Sequence, residues 1–250
     1  MMKKTATTLL AVLIPLGLSA CEIRADNSKP KADTGYATGT VRDAQGKPIA
    51  GAKILLDNSV FYNAYIHGST KEDGSYRIKA QPGAWRAEAS IKKEYNGKTY
   101  TLEMHPDNID SFDDEGAVRN FTWKLEGRSQ ENEYRFYGGF IQLSTDYGFS
   151  GDLDNVELSL TPSGPLIDGS QGKTLQLRLG DHYWGDRYQI EDIPIGRYTV
   201  EATLKNDQGS RPLRIQDWHT KGEFTSRFQL DFIPNAGRGR DNSASIVIGD

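Results

Sequence analysis

Residues 69–89 read STKEDGSYRIKAQPGAWRAEA, and this stretch decides the fold. Asp73-Gly74 is a turn pair, after which Tyr76 and Ile78 stand two apart, on one face of an extended strand. Pro82-Gly83 makes the next turn, and Trp85 and Ala87 share a face of the strand that follows. Runs of period two divided by turn residues predict strand, turn and strand, with each glycine placed to take a positive φ.

Working outward, GTVRDAQGKPIAGAKILL at 39–56 has the same grammar. Turn residues Asp43 and Gly46 precede Pro48-Ile49 and Gly51-Ala52, and Ile54 and Leu56 then alternate with Lys53 and Leu55. Asp43 and Asp73 are read as turn residues whose carboxylates bond nearby backbone N–H groups, not as proton-transfer groups.

The order Gly39-x-Val41, Gly46-x-Pro48-Ile49, Gly51-Ala52, Thr70, Asp73-Gly74-x-Tyr76, Pro82-Gly83-x-Trp85 resembles the carboxypeptidase regulatory-like domain. The resemblance covers about residues 37 to 90 and implies a small transthyretin-like, or prealbumin-like, β-sandwich completed near residue 126. It also implies a module that accompanies another activity as spacer or folding aid, since every matching position is structural.

A second copy is audible downstream. YRIKAQPGAWRAEA at 76–89 parallels YQIEDIPIGRYTVEA at 188–202: Tyr76 and Ile78 align with Tyr188 and Ile190, Pro82 with Pro194, and Trp85 with Tyr198 after one insertion. Val156, Leu158 and Leu160 alternate before a Pro/Gly turn as Ile54 and Leu56 do. Two readings stand, duplication of a whole sandwich or chance likeness of two strand-turn-strand segments. The fold expected is therefore all-β: two tandem transthyretin-like β-sandwich domains, residues 37–126 and 127–250, joined through the charged stretch LEGRSQENEYR.

The N-terminus explains the chain's only cysteine. Met1-Met2-Lys3-Lys4 precedes an apolar run from Leu9 to Leu18, too short to span a bilayer alone, and then small residues. Leu18-Ser19-Ala20-Cys21 resembles the lipobox of bacterial lipoproteins. That resemblance implies a signal peptide at 1–20, a diacylglyceryl group on the Cys21 sulfur and acylation of its new amino group, chains enough for stable anchoring. The alternative is an ordinary secreted protein with a stray cysteine. With a Gram-negative host, Glu22 in place of Asp after the cysteine points to the outer membrane. Residues 22–36, polar and aperiodic with Pro30, read as a flexible tether, with lipidated Cys21 at its head. Without a second cysteine the fold gains no disulfide, so packing must hold it together.

Composition narrows the function. The formal charge of −4 becomes more negative when Lys3 and Lys4 leave with the signal, and no basic cluster occurs, which argues against nucleic acid as a partner. The histidines, at 67, 105, 182 and 219, lack the close spacings of a metal pair, and no G-x-S-x-G is present. Neither the Tyr/His iron set of intradiol dioxygenases nor the Tyr-Arg-Gly-Ser ending of hydroxyisourate hydrolases is found. No enzyme and no cofactor are expected.

What remains are binding candidates. HPDNIDSFDDEG gathers Asp107, Asp110 and Asp113 with Asp114 and Glu115, and DYGFSGDLDN supplies Asp152 and Asp154. These are solvated acidic loops or, alternatively, Ca2+ ligands, although neither matches EF-hand spacing. Aromatic residues cluster in VFYNAYIHG (Phe61, Tyr62, Tyr65) and GDHYWGD, where His182, Tyr183, Trp184 and Asp186 resemble a sugar-stacking surface or, alternatively, the packing of a sandwich edge. The function expected is a lipid-anchored, non-catalytic interaction module for another envelope protein. The alternative is carbohydrate or calcium-dependent ligand binding.

Overall fold

The structure is a computed structural model; it describes residues 32–132, 134–179, 188–234 and 242–250, which fall in one compact unit, Lys31–Asp250. The molecule is all-β, and its strands form two sandwiches in succession.

The first is built from β1 (Tyr36–Arg42), β2 (Lys53–Asn58), β3 (Tyr65–Ser69), β4 (Ser75–Lys79), β5 (Trp85–Tyr95), β6 (Lys98–Glu103), β7 (His105–Pro106), β8 (Ala117–Val118) and β9 (Phe121–Thr122). One sheet runs β4-β1-β9-β7, with β8 also along β1; the other runs β3-β2-β5-β6. The alternation read from 69–89 is realised, since Tyr76, Ile78, Trp85 and Ala87 are all buried. So are Ile54 and Leu56, which pair across to Ala89 and Ala87 on β5. The turn at Asp73-Gly74 needs its glycine: φ is +74°, and a Cβ would lie 2.7 Å from the Val41 carbonyl. Asp73 Oδ1 accepts from the Ser75 N–H at 2.9 Å, and Asp43 Oδ1 accepts from the N–H groups of Gln45 and Lys47.

The second sandwich uses β10 (Gly139–Thr145), β11 (Val156–Pro162), β12 (Leu175–Arg178), β13 (Gln189–Ile193), β14 (Arg197–Asn206), β15 (Gly209–Asp217), β16 (Phe228–Asp231) and β17 (Ser243–Gly249). A short 3-10 turn, Leu153–Asn155, leads into β11. The strand order is β12-β11-β14-β15-β17-β10-β13, with β16 also on β14. This continuous path folds into two layers at β15. Its first half, to Leu213, pairs with β14, and its second half, from Arg214, pairs with β17.

The two halves share one plan. The order β3-β2-β5-β6 corresponds to β12-β11-β14-β15, and β4-β1-β9 corresponds to β13-β10-β17. In each case the first strand is antiparallel to the fourth and parallel to the last. The sequence echo falls on equivalent strands, β4–β5 and β13–β14. Even a detail recurs: the Trp85 indole N–H donates to the Gln81 carbonyl, and the Tyr198 hydroxyl to the Pro194 carbonyl, both at 2.7 Å and across four residues. A buried aromatic whose polar end caps the preceding turn satisfies both its own donor and an otherwise unpaired carbonyl.

Contacts bind the halves together. The Tyr100 hydroxyl, buried, donates to the Phe232 carbonyl at 2.7 Å, and burial pushes its pKa up to about 12. Lys98 Nζ donates to the same carbonyl, and the Tyr95 hydroxyl donates to the Pro165 carbonyl while accepting from the Arg197 N–H. In the connecting segment, the Gly127 N–H donates to both carboxylate oxygens of Asp192, which sits at φ +62°.

Candidate interaction surface

The β2–β3 hairpin closes through Asn58, which is buried at the end of β2. Its side-chain oxygen accepts the N–H groups of both Val60 and Phe61 at 2.9 Å, and its own N–H donates to the Ala64 carbonyl. An Asx turn of this kind fixes backbone that otherwise has no ladder partner. The Ser59 N–H donates to Ala84 O, and its hydroxyl lies 3.0 Å from that of Ser111 on the 107–112 loop. That loop is itself anchored by a two-way backbone bridge between Trp85 and Phe112.

The base is thus rigid while the tip is bare. Val60 is 69% exposed, Phe61 65% and Tyr62 93%. Tyr65, at the start of β3, and Ile109, on the adjoining loop, are also exposed large apolar residues. The equivalent connection in the second sandwich, between β11 and β12, carries Leu166 and Ile167, and there the chain folds back over them. The Ile167 N–H donates to Ile195 O, Leu166 N–H to Ser170 O, and the two side chains are only 7% and 2% exposed. One plan therefore has one apolar loop tucked in and one held out.

The acidic stretches serve turns. Asp107 accepts from the backbone and side-chain amides of Asn120 at 3.0 and 2.8 Å. The Asp110 N–H is held by Asn108, its carbonyl accepts from Arg119, and Asp113 Oδ1 accepts from the Glu115 N–H. Asp152 caps the 3-10 turn by accepting from the Asp154 N–H at 3.1 Å. Among the described residues, no group of three or more His, Cys, Asp or Glu side chains is placed to hold a metal ion. Cys21, and His182, Tyr183, Trp184 and Asp186, lie outside the described residues.

Sequence reading passed over a carboxylate cluster. Glu131, on the connecting segment, faces Glu88 and Glu103 across a cleft on the outer face of β2, β5 and β6 that His67, Lys53 and Tyr137 also line. Burial of the carboxyl and the nearby Glu88 and Glu103 charges push Glu131 up to about 7, although the residue as a whole counts as exposed. Burial raises Glu88 in the same direction. Arg86 and Arg135 oppose both shifts, and Arg135 pairs with Glu103 at 3.1 Å. The glutamates are far apart in the chain, and no spacing signals their meeting.

No protein-family model matches the sequence, and no curated protein matches it. Solved structures resemble it loosely. The Bacillus anthracis TIE protein is 14% identical over 86% of this chain and 34% of its own, with a TM-score of 0.30, so the chain spans about a third of that protein. A C-terminal fragment of the pilus adhesin SpaC from Lactobacillus rhamnosus GG is 11% identical over 85% of this chain and 95% of that one, with a TM-score of 0.26. A single B repeat unit of the collagen-binding surface protein of Staphylococcus aureus is 10% identical over 88% and 98%, with a TM-score of 0.20. Scores this low carry no functional argument, and the fold rests on the strand pairing itself. No helix among the described residues is long and apolar enough to cross a membrane.

Proposed function

We propose that the chain is a lipid-anchored cell-envelope protein that acts as a non-catalytic interaction module, docking on another envelope protein through the hairpin tip at Val60, Phe61 and Tyr62. The observation that carries this reading is the contrast between the two equivalent loops. Exposing a Phe and a Val on a braced turn forgoes burial worth about 1.5–3 kcal/mol for each side chain. The second sandwich avoids that loss within the same plan, so exposure is not imposed by the fold. Large apolar and aromatic side chains held on a rigid base are the residues that form the centre of protein interfaces.

The flanking 107–115 loop, which carries Asp107, Asp110, Asp113, Asp114 and Glu115, sets the chemistry of the partner. An apolar tip beside carboxylates fits an apolar pocket with a basic rim and is repelled by anionic lipid head groups. The anchor is read from the lipobox-like residues before Cys21. The tether expected over residues 22–36 is shortened at its far end, where Asp33 pairs with Arg77 and Tyr36 begins β1, and residues 22–32 give a reach of about 35 Å when fully extended.

A photo-reactive amino acid at Tyr62, in the full chain expressed in intact cells, tests the reading. One discrete adduct is expected, lost on Phe61→Asp and absent when the probe stands at the exposed Tyr147 of the second sandwich. Identical adducts from both positions, or none at Tyr62, would overturn it. Cys21→Ser is expected to release the chain from the membrane fraction; retention there would remove the lipid anchor from the proposal.

A further inference from the structure

A second site stands apart from the hairpin tip. The outer face of the β10-β17 pair carries amide and hydroxyl side chains. Gln142 and Ser245 face each other in register, with Ser144 next along β10, and Thr145 at the strand's end also lines the groove. The inward partners Ile141, Leu143, Ala244 and Ile246 are buried, so the alternation leaves amide and hydroxyl groups outside. Two aromatics rise beside this floor: Tyr188, just before β13, is 48% exposed, and Trp218, just after β15, is 50% exposed. Together they line a groove of about 550 Å³, within the range of small-molecule sites.

The two aromatics sit at one level of the sheet. The Leu143 N–H donates to the Tyr188 carbonyl, and the Trp218 N–H donates to the carbonyl of Ser245, the residue opposite Gln142. The strand order β15-β17-β10-β13 separates their backbones by three inter-strand spacings, about 14 Å. Both are fixed. Trp218 leads a tight turn in which Asp217 Oδ1 accepts the N–H groups of His219 and Thr220. Gln142 is held by Gln189, whose side-chain amide donates to it at 2.6 Å, and it donates in turn to the Tyr188 carbonyl.

We infer that this groove binds a neutral oligosaccharide. Aromatic faces offer stacking to the C–H faces of pyranose rings, while the floor exchanges hydrogen bonds with hydroxyls. The hydroxyls of Thr145, Ser245 and Tyr188 and the Trp218 indole N–H have no partner among the described residues and remain available. None of the described residues lining the groove carries a charge. That argues against nucleotides, phosphates and acidic sugars, which need a cation to offset desolvation. The span between the aromatics exceeds a single ring, so the ligand is an oligomer.

The two sandwiches differ at this position. Tyr76 lies over Gly39, where a Cβ would come 1.8 Å from the Arg119 carbonyl, and its hydroxyl donates to that carbonyl at 2.7 Å. The equivalent of Gly39 is Leu143, whose side chain is buried, and Tyr188 opposite it is half exposed.

Titration calorimetry of the full chain with cellotriose, maltotriose and fully N-acetylated chitotriose, against trigalacturonate as the acidic control, tests the inference. At least one neutral trisaccharide is expected to saturate below ~10 mM, with affinity falling about tenfold in both Trp218→Ala and Tyr188→Ala and largely kept in Trp218→Phe. Both aromatics are half-exposed, so the variants should keep the wild-type melting temperature, and Phe61→Asp should bind the sugar normally. No saturation by any neutral probe, binding indifferent to both aromatic variants, or a preference for trigalacturonate would each overturn it.

Discussion

The two sandwiches place the same elements in the same order and then spend their apolar residues differently. In the first, Tyr76 is core and the β2–β3 tip is bare. In the second, the equivalent Tyr188 is bare and the β11–β12 loop is core. Each sandwich thus presents one aromatic feature that its counterpart keeps hidden, and the two features lie on different loops. A shared frame with exchanged exposures teaches that topology alone does not set exposure: Tyr76 faces Gly39 where Tyr188 faces Leu143, and the tip beyond Asn58 stands out where the 163–174 segment folds back.

The sharpest way to break this comparison is at the tyrosine pair. Tyr76→Ala removes a buried ring and leaves the Arg119 carbonyl unpaired, so it should cost about 3–5 kcal/mol. Tyr188→Ala should change stability by about 0.5 kcal/mol or less. Urea unfolding of both variants measures the difference. Equal costs would mean that Tyr188 is as much a part of its core as Tyr76, and the exchange would fail.

The loop pair follows. Ile167→Ala creates a cavity in the second sandwich and should cost about 2–4 kcal/mol, while Phe61→Ala on the first should stay within about 0.5 kcal/mol. Thermal melts that showed Phe61→Ala to be as damaging as Ile167→Ala would make the tip a packing element and remove its case as a docking surface.

The strands, their inward faces and the turn at Asp73-Gly74 were legible because they depend on neighbours in the chain. Period two, a positive-φ glycine and a capping carboxylate are all local. The internal echo was legible for the same reason, since it pairs one strand-turn-strand with another. The fate of Tyr188 was not. It aligns with Tyr76, a core residue, yet is half exposed opposite Leu143, 45 positions earlier, a meeting made only by the β10–β13 pairing. The aromatic content of 60–65 was visible, but its exposure depended on Asn58 and on Ser59 meeting Ser111. Trp218 gave no signal, standing alone between charged and polar residues. The acidic stretches drew attention by composition, yet Asp113 and Asp152 accept from backbone N–H groups two residues on, and Asp107 accepts from Asn120, a partner that only the fold identifies.

A smaller test concerns the shared aromatic anchor. Tyr198→Phe keeps the ring but leaves the Pro194 carbonyl without its donor, for an expected loss of about 1–2 kcal/mol. Trp85 and Gln81 make the same bond in the first sandwich. If Tyr198→Phe were neutral by urea unfolding, the recurrence of that bond would be a by-product of strand geometry and not a stabilising device shared by both halves.

The smallest expected effect sharpens the comparison of outer faces. On β5, Glu88 lies under the connecting segment with Glu131 and Glu103, whereas its counterpart on β14, Glu201, is exposed with Arg227 3.8 Å away. Glu131 is raised in the folded state to about 7, so the folded protein holds a proton that the unfolded chain has already released between its ordinary value of 4.5 and about 7. Stability from this group is therefore present below that window and lost as the pH rises through it. Solvent screening at this exposed residue reduces the loss to about 1 kcal/mol or less. Glu131→Gln removes the titration while keeping the shape, so it should raise the melting temperature at pH 8 and leave it nearly unchanged at pH 5. Glu201→Gln should shift neither. A Glu131→Gln effect that was the same at both pH values would show that the carboxyl is solvated like its counterpart, and that the connecting segment does not crowd charge onto the first sandwich.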